Sequence, residues 1–167
     1  MKFWYDTEFY EDGKEIHLIS IGMVAEDGTE LYLENSDFDW GIVPDGHWIR
    51  GHVRPYLDNH LYGVTKNELI YELKYFVQFK SLSNEFWAYY ADYDHVVLAQ
   101  LFGRMVDMPE GFPWYTLDVK QEAHRLGNPE LPPQDSAEHH ALNDARWTKQ
   151  AWQFLQDYDQ QTGPQIW

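Results

Sequence analysis

Phe3-Trp4-Tyr5-Asp6-Thr7-Glu8-Phe9-Tyr10 poses the question that decides the fold. The run alternates as a strand does. Phe3, Tyr5, Thr7 and Phe9 fall on one face; Lys2, Trp4, Asp6 and Glu8 fall on the other. Aromatic residues at this density belong to a packed strand. Yet Asp6 and Glu8 share a face, roughly 6.5 Å apart along the strand, and their charges repel. One reading is an exposed edge strand with solvated acids. The other is a central strand whose acids act together, since two divalent cations held ~3.5–4 Å apart would remove the repulsion. The pair alone does not separate the two. Trp4, Phe9 and the apolar segment that follows favour the central strand.

That segment, residues 16–25 (IHLISIGMVA), is nearly all apolar and β-prone, the pattern of a strand buried on both faces. Asp27-Gly28 is a hairpin signal, and residues 29–34 (TELYLE) supply a third strand. Residues 35–64 read as irregular, apart from HWIRGHVRPYL (47–57), a short helix ended by Pro55. Thr65-Lys66-Asn67-Glu68 is a capping box. Behind it, Leu69, Ile70, Leu73, Phe76 and Val77 mark one face of a helix to about residue 80.

EFWAYYA (85–91) reads as a strand and DHVVLAQLFG (94–103) as a helix. WYTLD (114–118) is a short strand, with Asp118 as cap of the helix VKQEAHRL that stops at Gly127. After a Pro-rich loop, Ala141, Ala145, Thr148, Trp152 and Leu155 recur at helical spacing. Asp135 and Ser136 are candidate caps for this last helix, and the segment from residue 157 onward is expected to fray. The order is three strands, then a helix after each later strand. It predicts an α/β domain: an antiparallel edge joined to parallel strands through helical crossovers. Residues 1–160 form one domain, with 161–167 as a C-terminal tail.

The totals agree. A chain of 167 residues suits a single core. Its 44% hydrophobic and 17% aromatic content favours a packed globule. No apolar run is long enough to span a membrane, and MKFWYDTE lacks the apolar stretch of a secretion signal. The absence of cysteine excludes disulfides, Cys-zinc sites and thiol nucleophiles. These features lead us to expect a cytoplasmic protein. A net charge of -16 argues against a protein that coats nucleic acid. It leaves room for an enzyme that grips a short polyanion through bound cations.

Three other acid pairs share the spacing of Asp6 and Glu8. Asp37/Asp39 fall in a loop, and Asp157/Asp159 near a helix end where such residues diverge, so both read as solvated. Asp92/Asp94 follow a strand where it meets a helix, the place where ligands collect in α/β sheets. Asp94 is the favoured member, with plain helix capping as its simpler role. Of eight histidines, only His139 has an Asp five residues on, Asp144. Within one helix the two would lie ~140° apart. With His139 in the loop before the helix, its ring is free to turn toward Asp144. His140 reads as a helix-start residue without a role, and the same bland reading is open for His139.

Together these residues resemble the DEDDh class of 3′→5′ exonucleases on the RNase H-like fold. Asp6-Thr7-Glu8 matches its first motif. Asp94, in YADYDHVVLAQLFG, matches the second. His139 to Asp144, in HHALNDA, matches the third. YDTEFYEDGKEIHLISIGMVAEDG, HWIRGHVRPYL and YDHVVLAQLFG are most similar to the small actinobacterial and phage branch of RNase T-like exoribonucleases. That branch holds the mycobacterial polyadenylate-specific 3′-exoribonucleases. The likeness covers residues 3 to about 155. It departs from relatives outside the branch at Ala91-Asp92-Tyr93, where those carry Asn and Phe before the second-motif Asp.

The resemblance implies a mixed five-stranded sheet, three antiparallel strands and then parallel ones, flanked by helices. It implies two Mg²⁺ or Mn²⁺ ions held by Asp6, Glu8, Asp94 and Asp144, with His139 as general base. It further implies single-stranded RNA or DNA 3′ ends as substrate, nucleoside 5′-monophosphates as product, and a homodimer. An exoribonuclease is the expected activity. An exodeoxyribonuclease of the same chemistry and a non-catalytic nucleic-acid-binding module are the alternatives. For substrate contacts, Phe9 and Trp48 are candidates to stack a base, and Arg50 and His52 to meet phosphate.

Overall fold

The computed structural model describes residues 1–134 and 138–163. β1 (Lys2–Glu11), β2 (Ile16–Ala25) and β3 (Glu30–Asn35) form an antiparallel meander. β4 (Gly63–Val64) joins β3, β5 (Glu85–Ala88) joins β1, and β6 (Leu117–Asp118) joins β5, all in parallel. The sheet order is β4-β3-β2-β1-β5-β6. FWYDTEFY therefore lies inside the sheet, and the edge-strand reading of Asp6 and Glu8 falls. The helices are α1 (Trp48–His52), α2 (Asn59–Tyr62), α3 (Lys66–Lys80), α4 (Asp92–Phe102), α5 (Val119–Arg125) and α6 (Ala141–Thr162). This is a mixed α/β sheet flanked by helices, consistent with the RNase H-like expectation.

Among the described residues the sheet has six strands rather than five. The extra one is β4, two residues paired with Glu34 and Asn35. A strand that short leaves no periodicity to read. Residues 47–57 form α1 and then a 3₁₀ turn at Arg54–Tyr56 that contains Pro55. Thr65 and Glu68 make the capping box of α3, and Asp118 caps α5 through Lys120 N–H at 2.7 Å. The end of α6 does not fray at residue 157. It continues to Thr162 because Asp159 pairs with Arg125 at 2.7 Å and Tyr158 packs against the α5 cluster. Asp135 and Ser136 lie outside the described residues, and the residue at the N-cap of α6 is His140.

The two faces of β1 serve different purposes. Phe3 and Tyr5 join Leu69, Leu73 and Val77 of α3 and Val97 and Leu98 of α4 in the main core. Burying a side chain of this size contributes roughly 1.5–3 kcal/mol. Trp4 turns the other way and meets Trp152 of α6 at 5.1 Å between ring centres. Asp6 and Glu8 share that face with Trp4, beneath the start of α6.

Gly22 lets α6 reach the sheet. It pairs with Asp6 across β1 and β2. A Cβ there would stand 2.3 Å from the Leu142 backbone. A glycine inside a strand often marks such a close backbone approach, and here it brings the first turn of α6 down beside the acids. A bulge between Glu8 and Phe9 makes Ile19 the extra residue of β2. Ile19 packs with Tyr10, Val43, Ile49 and Val53, which seats the 40–57 segment next to the same spot.

Candidate active site

The site is built from three elements. β1 supplies Asp6 and Glu8, α4 supplies Asp94, and the turn before α6 together with its first turn supplies His139 and Asp144. Metal-ligating atoms of Glu8, His139 and Asp144 all lie within 4.8 Å of one another. Asp6 lines the same cleft of about 430 Å³, with Thr7, Phe9, Trp48 and His139 around it. A separate cavity of about 560 Å³ lies elsewhere, under the 35–42 loop, and touches none of these acids.

Asp94 reaches the site from the opposite face of β1. It caps no helix: the N-cap of α4 is Ala91, without a side-chain bond. Its Oδ1 accepts from Thr7 N–H at 2.8 Å and from Thr7 Oγ1 at 2.5 Å. Thr7, between the two acids, is thus the residue that ties α4 to β1. Asp94 is 5% exposed, whereas Asp92 is on the outside of α4. That contrast answers which acid of the pair points inward.

His139 precedes α6 with φ 68°, in the left-handed region. This is the loop placement in which its ring is free of the helix. Its backbone N–H donates to Asp144 Oδ2 at 2.9 Å. Gln134 donates to the other Asp144 oxygen. Five residues along the chain become one neighbourhood because the turn folds back on the helix start.

The electrostatics follow from this crowding. Burial, and then Asp94, Glu8 and Asp144, raise Asp6 well above the usual carboxylate range. Burial with Asp144 and Asp94 pushes Glu8 up to about 8. Burial lifts Asp94 to about 7 against the two Thr7 bonds, and Asp144 to about 6 against its His139 bond. Every lysine and arginine ion pair among the described residues lies elsewhere. Four oxygen donors without a counter-charge, and no sulfur, form a donor set that suits hard divalent cations.

The model of the 3′-5′ exoribonuclease Rv2179c-like domain matches residues 1–156. The chain belongs to this family. It is 40% identical over 152 residues to 3′-5′ exoribonuclease Rv2179c of Mycobacterium tuberculosis strain H37Rv, covering 87% of this chain and 88% of that protein. The same figures hold for 3′-5′ exoribonuclease MT2234.1 of strain CDC 1551. The mycobacterial exoribonuclease branch is thus the right one, and the chain is a hydrolase of the 3′-5′ exonuclease type.

In this Rv2179c-like chain the four expected substrate contacts divide. Trp48 is 48% exposed beside the cleft, stacked on His52 at 4.6 Å and edge-on to His139 at 4.6 Å. Phe9 is half-buried and stacks on Tyr93 at 5.6 Å. Arg50 is placed otherwise than expected. Its guanidinium donates to the carbonyls of Trp40, Val43 and Pro44, with its shortest bonds at 2.7 Å. It ties down the 40–44 loop and has little left for phosphate. Contacts that the sequence reading did not foresee also matter. Thr7 and Gln134 hold Asp94 and Asp144, Gly22 admits α6, and Asp118 clasps Tyr90 and Ala91 N–H at 3.3 Å each. Of Thr7, Gln134 and Gly22, only Gly22, alone in an apolar strand, left a signal of its role in the sequence.

Proposed function

We propose that this chain trims single-stranded RNA from its 3′ end and releases nucleoside 5′-monophosphates. The convergence of Glu8, His139 and Asp144 within 4.8 Å, in a cleft shared with Asp6, carries the reading. The exoribonuclease activity for which its mycobacterial relatives are named supports RNA as the substrate.

Asp6, Glu8, Asp94 and Asp144 would hold two divalent cations, Mg²⁺ or Mn²⁺. Bound there, the cations would offset the acids and stabilise the attacking and leaving oxygens of an in-line displacement at phosphorus. The chain's own residues do the rest. His139 takes the proton of the attacking water as general base. Its ring is half-exposed at the cleft rim, so water has access. Thr7 keeps Asp94 aimed at the site, and Asp144 fixes the His139 backbone. Trp48, and Phe9 with Tyr93, offer ring faces to the last bases. The proposal includes a cytoplasmic setting and a homodimer, the latter read by sedimentation equilibrium. No helix among the described residues is long and apolar enough to cross a membrane.

The test is digestion of 3′-labelled RNA and DNA oligonucleotides side by side, with Mg²⁺ or Mn²⁺ and with EDTA. Metal-dependent release of 5′-monophosphates, faster from RNA, is expected. Equal or faster release from DNA would move the substrate to DNA, since the 2′-OH is the distinguishing group. No release in either metal would remove the catalytic reading.

A further inference from the structure

His139 sits in a backbone conformation that needs support. A non-glycine residue at φ 68° is strained and persists where its surroundings enforce it. Beyond Asp144, two ring contacts do so. The next residue, His140, stacks on Tyr32 of β3 with ring centres 4.3 Å apart and planes at 25°. The His139 ring meets Trp48 of α1 edge-on.

The His140 contact leads to one atom, which also holds the segment that follows α1. Glu34 Oε1, on β3, accepts from Tyr32 OH at 3.0 Å and from Asp58 N–H at 2.7 Å. Asp58 is the N-cap of α2, on the segment that follows α1 and the 3₁₀ turn at Arg54–Tyr56. Glu34 is 1% exposed, and its Oε2 has no hydrogen-bond partner among the described residues. A buried carboxylate without a counter-charge weakens a fold. An apolar residue would serve a strand better if stability were its only task. Register places Glu34 opposite Ser20, which is itself opposite Glu8. Glu34 therefore lies about 10 Å from the acid cluster, two strands away along the same row.

We propose that Glu34 is a positioning residue. Its Oε1 clamps the His140 side and the Trp48 side of His139 together, and so fixes the turn that aims the His139 ring at Glu8 and Asp144. Glu34 touches neither the acids nor the substrate. The inference rests on the reading of His139 as the base.

The test compares variants on 3′-labelled RNA in Mn²⁺, with hydrogen exchange as a readout independent of activity. Wild-type trimming comes first; an inert wild-type chain removes the functional reading, while exchange still tests the clamp. Glu34→Leu removes the acceptor at similar volume. Its kcat is expected to fall about 10- to 100-fold with little change in KM, the scale of a misplaced catalytic group. Amides of residues 47–62 and 138–142 are expected to exchange faster together. Glu34→Gln keeps an acceptor oxygen and is expected to restore both readouts. Val77→Ala, a core truncation on α3, is expected to lower Tm and leave kcat unchanged. If Glu34→Leu does not fold, Tyr32→Phe, which removes only the hydroxyl, takes its place with the same expectations at 138–142. Three results overturn the proposal. The first is wild-type kcat in the acceptor-free variant. The second is a loss in Glu34→Gln as large as in Glu34→Leu. The third is a matching kcat loss in Val77→Ala at equal Tm change.

Discussion

Asp27 and Glu8 are both carboxylates of one acidic chain, and their surroundings push them in opposite directions. Asp27, at the β2–β3 hairpin, accepts from Lys80 Nζ at 2.7 Å and from Thr29, which hold its carboxyl far below the usual range. Asp12 behaves likewise, lowered to about 2 mainly by the Glu15 and Lys14 N–H groups. Glu8, against α6 with other acids and no cation, rises to about 8. The outer acids are satisfied by the fold. The inner acids are left without a counter-charge, the setting in which the proposed cations would act.

The sharpest break between the regions is at the inner acids. Asp6→Ala and Asp144→Ala are each expected to lower trimming of 3′-labelled RNA by about 10³-fold or more, the scale of losing a main electrostatic element. In EDTA the same variants should melt no lower than wild type, because each removes a repelling charge. Full activity in either would sink the assignment. His139→Ala comes next, with kcat down about 10²–10⁴-fold, the range for a general base. Mn²⁺ should still raise its Tm, which separates a base from a ligand. Unchanged turnover would remove His139 from that role.

Gly22→Ala disturbs the inner cluster without touching an acid. Its Cβ would meet the Leu142 backbone at 2.3 Å, so α6 must move. A shift near 1 Å predicts a kcat loss of about 10²-fold. Wild-type turnover with an unmoved α6 in its crystal structure would refute the dependence.

Much of this was legible along the chain because it rests on local chemistry. The alternation of β1, the Thr65–Glu68 capping box, Asp118 as a cap and the order of the acid motifs all follow from neighbours in sequence. What stayed hidden depends on distant partners. Arg50 looked free for phosphate until the 40–44 carbonyls took it. Asp94 was the favoured acid of its pair, but its partner Thr7, 87 residues away, could not be read. Glu34 drew no notice and His140 was read as a helix-start residue without a role, since a buried acid on β3 and a stack on Tyr32 exist only once α6 is docked. β4 was too short to leave any pattern.

The pH dependence of stability follows from the opposite signs. Glu8, Asp94 and Asp144 bind protons more tightly folded than unfolded, at about 8, 7 and 6 against roughly 4 in the unfolded chain. Their contribution is present below pH ~4 and is lost as pH rises through those values. Asp12 and Asp27 contribute above pH ~4 and lose it as pH falls through their lowered values. In EDTA, Tm should therefore peak near pH 4–5 and decline toward pH 8. Divalent cation should flatten the decline, with a Tm gain that grows as pH rises and the acids ionise. A metal-free Tm that climbs from pH 5 to 8 would contradict the inner acids' shifts.

The smallest effect is expected at the outer pair, and it completes the contrast. Asp27→Ala removes the Lys80 contact and two bonds to Thr29. An exposed ion pair is screened by salt and returns little stability. Gly28 still holds the hairpin, with φ 85° and its N–H on the Ala25 carbonyl at 3.0 Å. Turnover should match wild type. A slight drop in Tm at low salt should narrow at high salt, where the Lys80 pair is already screened in the parent chain. If Asp27→Ala instead cut turnover as deeply as Asp144→Ala, the division into fold-satisfied and ligand-directed acids would fail at its simplest point.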